Sequence, residues 1–277
     1  ATEMDEETAL YDIEIRLMLE AVYLRWHHDF RDYAVTSLRR RMRAAMRHFK
    51  CERLSQLQDR VLHEPEVFAQ MLQFFTVQMS DLFRDPPYFR ALREEVVPHL
   101  ATWPSVKLWV AGCSSGEEVW SLAILLHEEG LLDRSIIYAT DINPEALHRA
   151  EEGVYALERR AQFSRTYLAA GGRGSLSDHY TSAYGGAKFD QALRRQVVFA
   201  DHSLATDSVF SEVHLVSCRN VLIYFNTTLQ DRAVGLFKDS LVHRGFLGLG
   251  SKETLQFGAH AVDFEAVNAG ARIYRRL

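Results

Sequence analysis

The chain has 277 residues, of which 47% are hydrophobic, and its formal net charge is −5. This length is enough for one large α/β domain and a smaller one. This charge does not indicate a general nucleic-acid or membrane binder, and no apolar run approaches the roughly 18 residues that a membrane span needs. Three cysteines far apart indicate a reducing compartment, and the acidic N-terminus lacks a secretory pattern, so we expect a soluble cytoplasmic protein.

The first part of the chain is predicted to be helical. Residues 1–90 contain no glycine, and apolar side chains recur at helical spacing in segments such as 36–50. A break with two prolines at 85–87 precedes a further helix at 88–100. We therefore expect an N-terminal helical domain over residues 1–90, followed by a linker to about residue 104.

The predicted helix 36–50 carries two different faces. Leu38, Met42 and Met46 form an apolar stripe, basic side chains gather on an adjacent face, and Arg41 points elsewhere. In an arbitrary protein such a basic face is more often a solvated surface than a binding site. The basic face consists of Arg39, Arg40, Arg43, Arg47 and Lys50.

From about residue 105 apolar strands alternate with amphipathic helices, which predicts an α/β domain with a parallel sheet covered on both faces. The predicted strands are 107–112, 135–141, 197–201, 213–218 and 246–250, with a final edge strand at 271–276. The predicted helices are 117–130, 143–153 and 229–245. A polar, glycine-rich interval at about 165–196 breaks the alternation and predicts an inserted hairpin or small sheet within the domain 105–277.

Unusual polar residues follow three of the predicted strands. The first strand leads into a small-residue turn that contains Gly112 and Gly116, the second ends at Asp141, and the fourth precedes Arg219-Asn220. Ligands of doubly wound sheets bind at the carboxyl ends of strands, where glycines admit a ligand and an acidic side chain accepts ribose hydroxyls. The sequence therefore predicts a nucleoside site, with a helix N-cap as the alternative role for Asp141.

The turn after the first strand favours a nucleoside cofactor without phosphate. It reads G-C-S-S-G-E-E rather than G-x-G-x-x-G, and Glu117 and Glu118 would repel a phosphate from the first helical turn. The chain has no G-x-x-x-x-G-K-[ST] motif. S-adenosylmethionine fits these residues, because Glu118 can receive its positive charge or a ribose hydroxyl. A nicotinamide-dependent dehydrogenase is the alternative, which the glycine pattern disfavours.

Four segments resemble the CheR family of bacterial chemotaxis-receptor protein-glutamate O-methyltransferases. They are FFTVQMSDLFRDPPYF (74–89), LWVAGCSSGEEVWSLAILL (108–126), YATDINPEALHRAEEGVY (138–155) and CRNVLIYF (218–225). The resemblance covers nearly the whole chain and implies an N-terminal all-α domain, then a Rossmann-like S-adenosylmethionine-dependent methyltransferase sheet with an inserted small antiparallel β-subdomain. The implied reaction is methylation of glutamate carboxylates on chemoreceptors, with S-adenosylhomocysteine as the cofactor product.

The resemblance also implies roles for individual residues. Arg84 is expected to close over the cofactor and face the reaction, and Tyr224 to lie beside the transferable methyl group, so these two are the catalytic candidates. Arg219 has a backbone contact or an ion pair as its alternative role. The chain departs from the family pattern at Gln78-Met79-Ser80, where the family has N-x-T. The implied cofactor contacts are Gln78, Ser80, Arg84, Glu118, Asp141, Ser203, Leu204, Arg219 and Asn220.

The implied partner is the cytoplasmic domain of a chemoreceptor, whose acidic surface the basic face would attract. An acceptor glutamate with a pKa of about 4.3 is already ionised, so the reaction needs no general base. We expect a monomer without nucleic-acid or membrane binding and without a metal, with ordinary surface or packing roles for His27, His28 and Asp29. The alternatives are a CheR-like cofactor-binding regulatory module and a methyltransferase that acts on a different signalling protein.

Overall fold

The computed structural model describes residues 3–76, 80–183, 185–209 and 212–277. Its helices are α1 (Glu3–Trp26), α2 (Val35–Phe49), α3 (Leu54–His63), α4 (Pro65–Phe75), α5 (Pro86–Ala91), α6 (Val97–Leu100), α7 (Glu117–Glu128), α8 (Pro144–Glu152), α9 (Arg160–Ala169), α10 (Gln191–Arg194) and α11 (Thr227–Ser240). Its strands are β1 (Val106–Ala111), β2 (Ser135–Asp141), β3 (Val154–Ala156), β4 (Tyr180–Ala183), β5 (Gly186–Phe189), β6 (Val197–Asp201), β7 (Val213–Cys218), β8 (Leu241–Leu249), β9 (Phe264–Asn268) and β10 (Ile273–Arg276).

The main sheet has seven strands in the order β6-β2-β1-β7-β8-β10-β9. The first five are parallel, and β10 runs antiparallel to both β8 and β9. The chain leaves β1 towards β2 and β6 on one side and continues through β7 and β8 on the other. The topological switch point therefore lies between β1 and β7, where such sheets bind ligands. This arrangement confirms the predicted Rossmann-like α/β fold.

The two faces of the sheet bury different groups of helices. Along β1, Trp109 and Ala111 join a core formed with α1–α4, whereas Leu108 and Val110 join a core formed with α5–α7. This alternation follows from the two-residue period of a strand. Residues 82–100, which the sequence assigned partly to the helical domain and partly to a linker, therefore pack on the sheet.

The helical domain forms as its apolar pattern predicts. The stripe of α2 buries Leu38, Met42 and Ala45, and the rings of Phe30 and Phe75 stack with centroids 4.1 Å apart. Within the described residues, no helix is both long enough and apolar enough to cross a membrane.

Three element predictions were wrong. The helix expected at 229–245 ends at Ser240, because Leu241 begins β8 and pairs with Val213 of β7. The strand at the end of the chain is not the edge, because β9 lies outside it. The small sheet, of order β3-β5-β4, begins at Val154 and is therefore earlier than the insert expected at about 165–196.

Candidate functional site

A cleft opens at the carboxyl edge of the sheet, next to the switch point between β1 and β7. Most of the residues that the sequence singled out for the site come together there. Gln78 lies outside the described residues. The predicted site residues that line the cleft are Ser80, Arg84, Glu118, Asp141, Ser203, Leu204, Arg219, Asn220 and Tyr224.

Asp141 connects the ends of β1 and β2. Its Oδ2 accepts a hydrogen bond from the Ser114 backbone N–H at 2.9 Å, and its Oδ1 accepts one from the Asn143 N–H at 2.9 Å. Asn143, not Asp141, is the N-cap of α8, so the alternative role for Asp141 was wrong. Burial raises the pKa of the Asp141 carboxyl. Each of its oxygens keeps acceptor capacity for a ligand hydroxyl in the cleft.

The glycine turn after β1 is fixed by close packing. Gly112 has a φ of 71°, and a Cβ built there would lie 2.6 Å from Cγ2 of Val221, in the segment that follows β7. A larger residue would push the two strand ends apart. The glycine therefore keeps the two sides of the switch point in contact at the cleft.

Arg219 uses its side chain inside the protein. Its Nη1 lies 2.9 Å from Oε1 of Glu118, its Nη2 lies 2.8 Å from Oδ2 of Asp85, and its guanidinium carbon lies 3.9 Å from the Tyr88 ring centroid. Burial raises the pKa of the Glu118 carboxyl, and Arg219 partly opposes this effect. The arginine thus positions Glu118 at the cleft through the ion pair given as its alternative role.

A buried carboxylate that the sequence did not identify organises the turn after β7. Oε1 of Glu253 accepts hydrogen bonds from the backbone N–H groups of Gly250 and Asn220, at 2.7 and 2.9 Å. Its Oε2 accepts from Val221 and Ile223, both at 3.1 Å. These four bonds hold the backbone at Asn220, where φ is 62°. Its only sequence signal was the acidic residue that ends the G-S-K-E stretch at 250–253.

Arg84 sits on a constrained segment. Its neighbours Phe83 and Asp85 have φ values of 50° and 57°, a region that non-glycine residues adopt at a cost. Glu117 accepts a bond from the Ser80 N–H at 2.9 Å, and Ser121 accepts one from the Phe83 N–H at 2.7 Å. These two hydrogen bonds fix the segment to the N-terminal part of α7. Arg84, which lies on this segment, lines the cleft.

Part of the cleft wall comes from the segment after β6 and from the loop between α1 and α2. Ser203 and Leu204 follow β6 as expected, and the loop between α1 and α2 lines the same cleft with residues that the sequence did not assign to the site. The only signal was a polar and aromatic stretch, HHDFRDY, between two helices. The unassigned residues are His28, Asp29, Phe30 and Tyr33.

Tyr224 lines the cleft on a short 3₁₀ turn, Leu222–Tyr224. The guanidinium carbon of Arg41 lies 4.4 Å from the centroid of its ring. Arg41 was expected to point away from the basic face of α2, and it extends to this tyrosine instead of to solvent.

The residues of the cleft fit S-adenosylmethionine. Two carboxylates that line the cleft, the buried Asp141 and the half-buried Glu118, suit a cation and hydroxyl groups and would repel a phosphate. Arg84 is available for a carboxylate, since no other side chain of the described residues bonds its guanidinium. The fold and the site thus define an S-adenosylmethionine-dependent methyltransferase.

Comparison with known proteins identifies the family. The all-alpha domain of CheR methyltransferases matches residues 13–76, and the S-adenosylmethionine-binding domain of CheR methyltransferases matches residues 78–272. The chain is 58% identical over 265 residues to putative methyltransferase Cher3 of Pseudomonas putida, with 96% of this chain and 97% of that protein covered. It is 30% identical to chemotaxis protein methyltransferase 2 of Pseudomonas aeruginosa, with 74% and 72% covered. The chain belongs to the CheR methyltransferase family, and S-adenosylmethionine is its cofactor.

Proposed function

We propose that the protein methylates glutamate side chains on the cytoplasmic domains of chemoreceptors and forms glutamate methyl esters. Bound S-adenosylmethionine supplies a methyl group on a positively charged sulfur. The acceptor carboxylate is ionised near neutral pH and forms the new bond without first losing a proton. The task of the protein is therefore to bind, orient and partly dehydrate the acceptor.

The observation that carries this proposal is the composition of the part of the cleft that Arg84 and Tyr224 line, which we call the transfer end. Arg84 and Tyr224 provide a cation and a hydroxyl there, which suit a carboxylate. Two histidines, His28 and His202, also line the cleft, and neither lies on the chain segments that carry Arg84 and Tyr224. An acceptor that had to be deprotonated first would need a base near Tyr224.

The basic face of α2 supports a protein acceptor. Arg39 is neutralised by Asp12, with its Nε and Nη2 at 2.8 and 2.6 Å from the two carboxylate oxygens. In the part of the chain that the structure describes, the other four residues of the basic face form no ion pair with a carboxylate. Arg40, Arg43, Arg47 and Lys50 are exposed and attract an acidic partner.

A methyltransferase that acts on a different signalling protein is the second candidate, because the name of the Pseudomonas putida relative specifies no acceptor. Both functions are tested by adding the protein and S-adenosylmethionine with a tritiated methyl group to membrane and soluble fractions, which are prepared separately from cells of the organism that produces the protein. We expect label on receptor bands, and release of volatile methanol in alkali identifies an ester. Ester label on a different protein supports the second candidate. Binding of S-adenosylhomocysteine without any labelled protein contradicts both and supports a regulatory module.

A further inference from the structure

Arg41 on α2 connects this helix to Tyr224, at the transfer end of the cleft. Its guanidinium lies over the ring of Tyr224, and its Nη1 donates to the backbone carbonyl of Phe74 at 3.0 Å. Its Nε donates to Oγ of Ser37 at 2.9 Å. These contacts hold the cation in one place between α2, α4 and the turn after β7.

The charge of Arg41 has no counter-ion in the described parts of the chain. Arg39 pairs with Asp12, and Arg219 pairs with two carboxylates, whereas no carboxylate lies within ion-pair distance of Arg41. Burial lowers the pKa of the Arg41 guanidinium, because the charged form has lost part of its hydration. A partly buried cation without a counter-ion is unfavourable unless a ligand supplies the opposite charge.

The position of Arg41 favours the acceptor over the cofactor as that ligand. Tyr224 and Arg84 line the cleft, but Arg41 does not, so it lies beyond the tyrosine ring on the side of the helical domain. Arg40 and Arg43 are exposed on the same helix. A partner that docks along α2 thus meets Arg41 before it reaches the cleft.

We infer that Arg41 determines specificity by binding the acceptor carboxylate beside Tyr224, an inference that rests on the proposed function. Arg41 selects an ionised side chain from a docked protein and presents it to the transfer end. Methyl transfer neutralises the acceptor, so this contact stabilises the bound reactant more than the transition state. Because the contact with Arg41 is made in the bound reactant, its loss raises the KM for the acceptor and does not lower kcat.

The test is a two-by-two binding experiment. Its probe is a receptor cytoplasmic fragment that the wild-type protein labels, prepared with glutamate or with glutamine at the labelled position. Binding to the protein saturated with S-adenosylhomocysteine is followed by fluorescence anisotropy. We expect the wild type to prefer the glutamate form by about 10-fold, and Arg41→Met to show no preference. In rate measurements Arg41→Met raises KM by a similar factor and leaves kcat within about 2-fold.

Two further variants separate acceptor binding from a purely structural role. Arg60→Met is the matched control, because Arg60 also lies over an aromatic ring, that of Phe49, and donates to the backbone carbonyl of Phe49. Arg41→Lys keeps the charge but cannot reproduce the planar guanidinium contacts. We expect Arg60→Met to retain the full preference for glutamate and Arg41→Lys to retain part of it.

The outcomes are distinguishable. If no protein is labelled by the wild type, the proposed function fails and the inference fails with it. If the wild type labels a receptor and Arg41→Met still prefers glutamate, the inference alone is overturned. Equal loss in Arg41→Lys and Arg41→Met, together with lower kcat and weaker S-adenosylhomocysteine binding, assigns Arg41 a structural role and also overturns it.

Discussion

At the scale of single residues, carboxylates perform three different tasks around the cleft. Glu253 accepts only backbone N–H groups, Asp141 accepts two such groups and also lines the cleft, and Glu118 pairs with Arg219. The same carboxylate group thus fixes the backbone in Glu253, bonds the backbone and faces the cleft in Asp141, and forms an ion pair in Glu118. What distinguishes the three is the supply of donors around each carboxylate and not its place in a motif.

Glu253→Gln is expected to loosen the turn after β7. The amide would turn an N–H₂ group towards two backbone N–H donors, because each oxygen of Glu253 accepts two hydrogen bonds. The free energy of unfolding falls by about 2–4 kcal/mol, and S-adenosylhomocysteine binds more weakly. Urea denaturation and calorimetry measure the two effects. Glu265→Gln, at an exposed ion pair with Arg244, is the control and changes stability by less than about 1 kcal/mol. Equal stability of the two variants contradicts this account.

At the scale of elements, the small sheet and its helix act on the cleft from outside the main sheet. Arg159 follows β3 and donates to the backbone carbonyl of Ser80 and to Oδ1 of Asp81, the latter at 3.0 Å. Thr166 on α9 donates to the carbonyl of Leu82 at 2.7 Å. The insert therefore holds the strained segment that carries Arg84.

Arg159→Ala is expected to release this segment. The variant loses the contacts to Ser80 and Asp81, so Arg84 samples more positions and the geometry of the transfer end becomes less uniform. We expect kcat/KM to fall by about 10-fold with a smaller loss of S-adenosylhomocysteine affinity. Steady-state rates and calorimetry provide the measurement. Arg160→Ala, at the exposed neighbouring position, is the matched control, and an equal effect of both variants argues against a specific clamp.

The elements themselves were largely predictable from local pattern. The bounds of β2, β6 and β7 agree with the sequence, because each is an apolar run that stops at a polar residue. The junction of α11 and β8 was not predictable, since Leu241 suits both a helix and a strand until its pairing with Val213 decides. The site was predicted where a motif carries it. Glu253, Arg41 and the loop between α1 and α2 were missed because their relation to the cleft depends on contacts between segments far apart in the sequence.

At the scale of the whole molecule, the helical domain contributes to the wall of the cleft. Its loop between α1 and α2 lines the cleft, and Arg41 on α2 contacts Tyr224, which lines it as well. A hydrogen bond from the Ala34 N–H to the Tyr224 carbonyl, at 2.8 Å, adds to this contact. A protein that binds α2 thus touches an element that is already joined to the transfer end.

Charge reversal on the basic face is expected to separate docking from cofactor binding. Arg40→Glu combined with Arg43→Glu places two negative charges where an acidic receptor approaches, and both side chains are exposed and neither lines the cleft. At low salt we expect receptor methylation to slow by about 10-fold or more, with S-adenosylhomocysteine affinity unchanged. The rate of the wild type falls as salt rises, because exposed charges are screened, and the rate of the variant rises or stays level. Arg165→Glu combined with Arg195→Glu gives the same change in net charge at exposed positions outside the helical domain and serves as the control. A wild-type rate for the α2 variant at low salt, or an equal loss in the control, means that receptors do not dock through this face.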